Sequence, residues 1–238
     1  MTGVPARLDP AARRSLERVL DLIAADERAP TTVRQPADAW DVHVADSLSG
    51  LEVPELARAM AIADIGAGAG FPGLALAAAM PAARVDLIES ASRKADFIER
   101  AIAASTLANA TVIAARSEEW AREPPLDGGR EAYDAVTARA VGRLAELAEL
   151  ASPLLREGGV LVAWKGAVDE REEADGLHAA QVLGLERAEV RPVEPYPGSQ
   201  RRTLHVFRKV SPTPEGYPRR PGMAAKRPLT APGIRPDR

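Results

Sequence analysis

The chain has 238 residues, 46% of them hydrophobic and 27% charged, with a formal net charge of −3 at pH 7. This size and composition suit one α/β domain with short extensions, and no apolar run reaches the roughly 18–20 residues that a membrane span needs. The lack of cysteine excludes disulfides, cysteine metal sites and cysteine nucleophiles, and the three scattered histidines predict no metal site. The first residues lack the apolar core of a secretory signal, so we expect a cytoplasmic protein.

Two helical segments are predicted at the beginning of the chain. Apolar residues recur at helical spacing between Pro10 and about Ala25, at Leu16, Val19, Leu20 and Ile23. A second, shorter helix is expected from Trp40 to about Leu51, after a turn-like stretch from Arg28 to Pro36. Residues 1–55 are therefore expected to form an N-terminal helical extension.

A regular alternation of strands and helices is expected from residue 56 to residue 210. The strands are predicted at Met60–Ile65, Arg84–Ser90, Ala110–Ala114, Tyr133–Ala138, Gly159–Trp164, Glu186–Val193 and Thr203–Val210. The clearest helices between them are Ser92–Ala104, Arg143–Leu155 and Val168–Leu183. This order predicts a mostly parallel, Rossmann-like sheet with right-handed crossovers. The last two strands are joined by PVEPYPGSQRR, which leaves no room for a helix, so they are expected to pair as an antiparallel hairpin. Such a seven-stranded sheet is typical of class I S-adenosylmethionine-dependent methyltransferases.

The C-terminal segment is rich in proline and basic residues. Residues 200–238 contain ten Lys or Arg and two acids, whereas residues 1–199 contain 21 and 32. The charge balance of +8 at this end, against −11 in the body, favours contact with a polyanion. The alternative is a solvated tail. Residues 211–238 are expected to be largely irregular in structure.

A glycine-rich stretch, ADIGAGAGFPGLALA, occupies residues 63–77. Gly66, Gly68 and Gly70 allow positive φ and close approach of a ligand to the backbone, between a strand and the start of a helix. Gly68, Gly70 and Gly73 also match the dinucleotide fingerprint G-x-G-x-x-G. Glu89 ends the next strand and can accept both ribose hydroxyls of either NAD or S-adenosylmethionine. The glycines and Glu89 therefore leave the choice between these two cofactors open.

Asp64, at the end of the first predicted strand, favours S-adenosylmethionine. A carboxylate at this position suits a cofactor with a positively charged amino-acid moiety, and it suits a pyrophosphate poorly. Asp64 is accordingly a predicted cofactor-binding residue.

Several motifs together resemble the RsmG family, once called glucose-inhibited division protein B. They are WDVHVADSL at residues 40–48, DIGAGAGFPG at 64–73, ES followed by RK and F at 89–97, RSEE at 116–119, TARA at 137–140 and YPRRPG at 217–222. The resemblance covers roughly Trp40 to Leu229 in the family's order. The glycine motif alone would be weak, but the combination is specific.

The resemblance implies a bacterial enzyme that methylates N7 of one guanosine in the 530 loop of 16S ribosomal RNA, with S-adenosylmethionine as methyl donor. It implies cofactor contacts by Gly66, Phe71, Ser117, Glu118 and Arg139. The partner is expected to be 16S ribosomal RNA or the small ribosomal subunit, and the protein is expected to be a monomer.

The N7 atom of guanine carries a free lone pair, so its methylation needs no general base. Arg139, which follows the fourth strand, is the predicted catalytic residue and is expected at the rim of the methyl-transfer site, near the cofactor carboxylate or an RNA phosphate. The alternative for Arg139 is a salt bridge to a surface acid. His43 and Asp46 are expected to hold the N-terminal helices against the sheet, and His43 is not expected to act as a base.

Six basic residues are predicted to contact RNA: Arg93, Lys94, Arg201, Arg202, Arg219 and Arg220. Because aromatic residues make up only 4% of the chain, phosphate and shape contacts are expected to dominate over base stacking. Two other functions stay open at this point. One is an NAD(P)-dependent oxidoreductase, and the other is a non-catalytic RNA-binding protein with a methyltransferase fold.

Overall fold

The computed structural model describes residues 8–124 and 128–233. Its centre is one sheet of seven strands in the order β3-β2-β1-β4-β5-β7-β6. The strands are β1 Ala61–Ile65, β2 Arg84–Ile88, β3 Ala110–Ile113, β4 Tyr133–Arg139, β5 Leu155–Lys165, β6 Leu185–Val193 and β7 Arg202–Lys209. The first five strands are parallel, and β7 runs antiparallel to both β5 and β6.

The helices connect the strands and precede the sheet. They are α1 Pro10–Ala25, α2 Pro36–Ala39, α3 Asp46–Leu48, α4 Pro54–Ala57, α5 Gly73–Ala79, α6 Ser92–Ser105, α7 Ser117–Trp120, α8 Leu144–Ala151, α9 Glu170–Val182 and α10 Met223–Lys226. A π-helical turn at Trp40–Ala45 and a 3₁₀ turn at Ser49–Glu52 flank α3. No helix in the described ranges combines the length and the hydropathy needed to cross a membrane.

The predicted fold class is confirmed, and each predicted strand is present with small differences at its ends. The helix expected at Arg143–Leu155 is shorter, because α8 ends at Ala151. Ser152 keeps helical dihedrals, but Pro153 has no backbone N–H to continue the helical hydrogen bonding, so the helix stops and β5 begins at Leu155. The helix expected at Trp40–Leu51 is a π turn, α3 and a 3₁₀ turn in succession.

Two hydrophobic layers cover the faces of the sheet. Val160 and Val162 of β5 pack in the layer that contains α1, α5 and α6, whereas Leu161 and Ala163 pack in the layer that contains α8 and α9. This alternation follows from the period of two in a strand. The N-terminal helices are therefore part of the core of the sheet domain.

The strand order reverses between β1 and β4, because the chain builds β2 and β3 on one side of β1 and then crosses to β4. In open α/β sheets, ligands bind outside the carboxyl ends of the strands at such a switch point. The glycine-rich stretch follows β1 directly, so it lies at this position.

The C-terminal segment is mostly irregular, as expected, but it packs on the domain. Ala224 of α10 is buried in the layer that contains α8. The last five residues of the segment lie outside the described ranges.

Candidate functional site

The glycine loop joins β1 to α5 through three residues with positive φ. Gly66, Gly68 and Gly70 have φ of +63°, +59° and +92°. A Cβ atom on Gly66 would lie 2.7 Å from a methyl group of Val141. L-residues with a side chain avoid this backbone region, so the conformation requires glycine here.

Asp64 lies beneath the loop and has no exposed surface. Its Oδ2 accepts a hydrogen bond from the backbone N–H of Gly73 at 2.8 Å, and its Oδ1 accepts one from the hydroxyl of Thr137 at 2.9 Å. Burial raises the pKa of Asp64 to about 7, against the lowering effect of both hydrogen bonds. Asp64 therefore fixes the start of α5 from below the loop, and its contact with the cofactor stays a prediction.

Glu89 follows β2 and reaches towards the same loop. Its Oε2 accepts from the backbone N–H of Gly68 at 3.1 Å, and its Oε1 accepts from that of Ala91 at 2.8 Å. A carboxylate has about four lone-pair sites, so two acceptor positions are not used by these contacts. The glycine loop thus helps to position the side chain of Glu89, which was predicted to bind the cofactor ribose beside that loop.

A cavity of about 150 Å³ opens beside the loop at the carboxyl edge of the sheet. The predicted residues Gly66, Ser117 and Glu118 all line it. Its other walls come from four segments: Ile88 and Ser90 at the end of β2, Ala115 and Arg116 before α7, Val141, Glu146 and Leu150 around α8, and Gly222, Ala224 and Ala225 near the C-terminus. This volume is smaller than the roughly 300–1,000 Å³ of a typical ligand pocket, so it fits only one end of a nucleoside-containing ligand.

Arg139 ends β4 and points into a buried polar cluster with Asp46. Its Nη1 donates to Oδ2 of Asp46 at 2.8 Å and to the carbonyl oxygen of Val42 at 2.9 Å. The side chain of Asp46 is 2% exposed and that of Arg139 is 15% exposed. The salt bridge that sequence analysis offered as an alternative therefore exists, but its acid is buried and belongs to the N-terminal extension.

A second arginine approaches the same carboxylate. Nε of Arg202 lies 3.7 Å from Oδ1 of Asp46. The indole N–H of Trp164 donates to the backbone oxygen of Asp46 at 2.8 Å. Asp46 thus ties the N-terminal extension to the ends of β4, β5 and β7, as expected of a structural residue.

His43 and Phe71 stack with ring centroids 5.2 Å apart. Nε2 of His43 lies 3.1 Å from the carbonyl oxygen of Val33, which assigns the proton of the neutral ring to Nε2. Burial, and then the charge of Arg139, lowers the pKa of His43. Phe71 is 5% exposed, and its ring packs on His43.

Arg93 and Lys94 lie in the first turn of α6, at the same edge of the sheet as the loop. Arg93 lines two adjoining grooves together with Arg28, and their further basic residues are Arg34 and Arg100. Sequence analysis missed these three arginines. The available signal was the recurrence of Arg at positions 28 and 34 within a turn-like stretch.

Arg219 and Arg220 are adjacent in sequence but differ in environment. Arg219 forms an ion pair with the buried Glu149, with Nε 2.7 Å from Oε1 and a second contact between Nη2 and Oε2. This pairing raises the pKa of Arg219. Arg220 is exposed. A buried carboxylate thus already holds the guanidinium of Arg219, which is 24% exposed, and the predicted RNA contacts of both arginines stay predictions.

Arg201 is exposed and directly precedes β7, while Arg202 is half-buried beside Asp46.

Within residues 8–124 and 128–233, no group of three His, Asp or Glu side chains is arranged to hold a metal ion.

Comparison with known proteins gives a consistent family. Residues 16–201 match the family model GidB, described as rRNA small subunit methyltransferase G. The protein named ribosomal RNA small subunit methyltransferase G from Rubrobacter xylanophilus is 43% identical over 222 residues, covering 92% of this chain and 84% of the relative. The protein of the same name from Deinococcus radiodurans is 37% identical, covering 95% and 96%.

Solved structures share the fold at low sequence identity. The fibrillarin pre-rRNA processing protein of Methanococcus jannaschii aligns with a TM-score of 0.53 and 20% identity, over 70% of this chain and 74% of that one. A variant of MtNAS in complex with S-adenosylmethionine aligns with a TM-score of 0.54 and 13% identity, over 84% and 73%.

Proposed function

The chain belongs to the ribosomal RNA small subunit methyltransferase G family, and we propose that it methylates N7 of a guanosine in the 530 loop of 16S ribosomal RNA as a monomer. S-adenosylmethionine is the cofactor, and ribosomal RNA is the substrate class. The observation that carries the proposal is the glycine loop at the switch point of the sheet, opening beside a cavity lined by Ser117 and Glu118.

The residues at this edge fit S-adenosylmethionine. Glu89 would accept the ribose hydroxyls with the lone pairs that its two backbone contacts leave unused. Ser117 and Glu118 would hold the adenine end in the cavity. The loop from Gly66 to Gly70 would approach the cofactor through its backbone, since a side chain at Gly66 has no room.

The proposed reaction needs no general base. S-adenosylmethionine supplies the methyl group when bound, and the N7 lone pair forms the new bond without losing a proton. Two ionisable groups beside the site support this view. His43 is buried and stacked on Phe71, and Asp64 is fully buried below the loop. Both side chains are therefore shielded from an incoming base.

The RNA is proposed to lie along the carboxyl edge of the sheet. Arg28 and Arg93 line the grooves at one end of this edge, and Arg201 and Arg202 lie at the other, beyond Arg139. Because Arg139 and Arg202 converge on Asp46, they form a fixed positive group at this second end. Phosphate contacts of this kind set the position of an RNA without reading its sequence.

The direct test is methylation by the purified protein with S-adenosylmethionine and small ribosomal subunits or naked 16S ribosomal RNA lacking the modification. Nucleoside chromatography should show 7-methylguanosine in amounts equal to the S-adenosylhomocysteine formed. Methyl groups on an exocyclic amine or a ribose would refute the N7 assignment. Binding of NAD in place of S-adenosylhomocysteine would refute the cofactor placement.

A further inference from the structure

The C-terminal strap, defined here as residues 217–226, crosses the carboxyl edge of the sheet and completes the cavity. Gly222, Ala224 and Ala225 line it together with Ser117 and Glu118. The wall that these residues form comes from a segment far from the glycine loop in sequence. A ligand end in this cavity would contact the strap directly.

Glu118 connects the strap to the cavity. Its Oε1 accepts a hydrogen bond from the backbone N–H of Gly222 at 2.8 Å, and its side chain is 6% exposed. Gly222 has φ of +78°, so the backbone turns here in a conformation that favours glycine. The same carboxylate therefore faces the cavity and holds the segment that closes it.

Arg219 anchors the strap to α8. Its two-pronged contact with Glu149 buries a carboxylate that is only 1% exposed, and its Nη2 also donates to the carbonyl oxygen of Arg227 at 2.9 Å. A planar guanidinium on a carboxylate gives directional as well as electrostatic binding. Removing the arginine would leave the buried charge of Glu149 without its partner.

Two further arginines hold the backbone of the strap. Arg122 donates to the carbonyl oxygens of Pro218 and Arg219 at 3.2 and 2.8 Å. Arg130 donates to the carbonyl oxygen of Tyr217 at 3.3 Å. These contacts replace the regular hydrogen bonding that an irregular segment lacks, so the strap is fixed by side chains of the domain.

We propose that the strap is a wall of the S-adenosylmethionine site and that Arg219 is a positioning residue for cofactor binding. This inference rests on the proposed function. Arg219 does not touch the cavity, so it acts through Gly222 and Glu118. Arg220, its neighbour, is exposed; its backbone carbonyl accepts from the N–H of Met223 at 3.1 Å, and its side chain makes no hydrogen bond or ion pair within the described part of the chain. The two adjacent arginines thus have separate roles, one in the cofactor site and one on the surface.

The test compares Arg219→Ala with Arg220→Ala by calorimetric titration of S-adenosylhomocysteine. Arg219→Ala should weaken binding by about tenfold or more, as expected for loss of a charge-assisted pair. Arg220→Ala should leave the affinity within about twofold and reduce the salt dependence of RNA binding by a log–log slope of about 0.7 if it contacts one phosphate. Arg219→Lys should recover part of the affinity, because it restores the charge without the planar fork.

Hydrogen exchange of the unaltered protein gives a second readout that does not depend on the folding of a variant. Addition of S-adenosylhomocysteine should slow exchange in a peptide covering residues 217–226, and leave a peptide in β6 unchanged. Equal affinities for both alanine variants, or unchanged exchange in the strap at saturation, would overturn the inference. Failure of the unaltered protein to bind S-adenosylhomocysteine would instead overturn the proposed function.

Discussion

The buried carboxyl of Asp64 predicts a specific dependence of stability on pH. Burial raises its pKa from 3.8 to about 7, so the folded protein binds the proton more tightly than the unfolded chain. Stability from this group is therefore greatest below the unfolded pKa and falls as pH rises towards 7. The full effect of such a pKa difference is about 4 kcal/mol.

The Asp64→Asn variant removes this titration while keeping the size of the side chain. Its amide oxygen can accept from Gly73, and its amide nitrogen can donate to the hydroxyl of Thr137, so both present contacts have replacements. Between pH 5 and 7.5, the free energy of unfolding of the unaltered protein should fall by about 2–3 kcal/mol more than that of Asp64→Asn.

Urea unfolding at several pH values measures this difference, and comparison of the two proteins cancels the titration of all other groups. Thr137→Val is a useful control, because it removes one partner and keeps the ionisable group. Its free energy of unfolding should retain a fall over this pH range. Parallel pH curves for the unaltered protein and Asp64→Asn would refute the reasoning.

Three further results are expected. Arg139→Ala should cost about 3–5 kcal/mol in urea unfolding, because it leaves the 2% exposed carboxylate of Asp46 without its direct partner, and a variant as stable as the unaltered protein would show that the pair carries no stability. Gly66→Ala should weaken S-adenosylhomocysteine binding about tenfold or more. The control is Gly158→Ala, which has φ of +84° and no atom within 4 Å of its added Cβ, and which should change only stability, by about 1–2 kcal/mol. Equal binding by both variants would contradict the role of the loop. Single-turnover methylation at saturating RNA and cofactor should vary by no more than about twofold from pH 5 to 8.5, a range extended downwards because the pKa of His43 is lowered, and a rise with pH that His43→Ala abolishes would indicate a histidine base.

The strands, the parallel order and the terminal hairpin could be predicted from sequence because they follow from local patterns. Apolar runs of five residues, glycine turns and the short connection after Val193 each limit the chain to few arrangements. The glycine loop was found for the same reason, since several glycines beside Asp64 and before Pro72 are a local signal. The positive φ values of Gly66, Gly68 and Gly70 agree with the backbone conformation that these glycines predicted.

The partners of charged residues could not be predicted, because they depend on packing between distant segments. Arg139 meets Asp46 across 93 positions, and Arg219 meets Glu149 across 70. Arg219 was predicted to contact RNA, and Arg139 was predicted to lie near the cofactor or an RNA phosphate with a salt bridge as the alternative. The sequence showed which residues are charged, but it carried no information on which buried acid each arginine would contact.

The most direct test of the central claim is a map of 7-methylguanosine in the 16S ribosomal RNA of cells that lack this protein and of the same cells supplied with it. Cleavage specific for 7-methylguanosine should appear at one guanosine in the 530 loop only when the protein is present, and Gly66→Ala should fail to restore it. A modification that persists without the protein, or that appears at another position with it, would contradict the account.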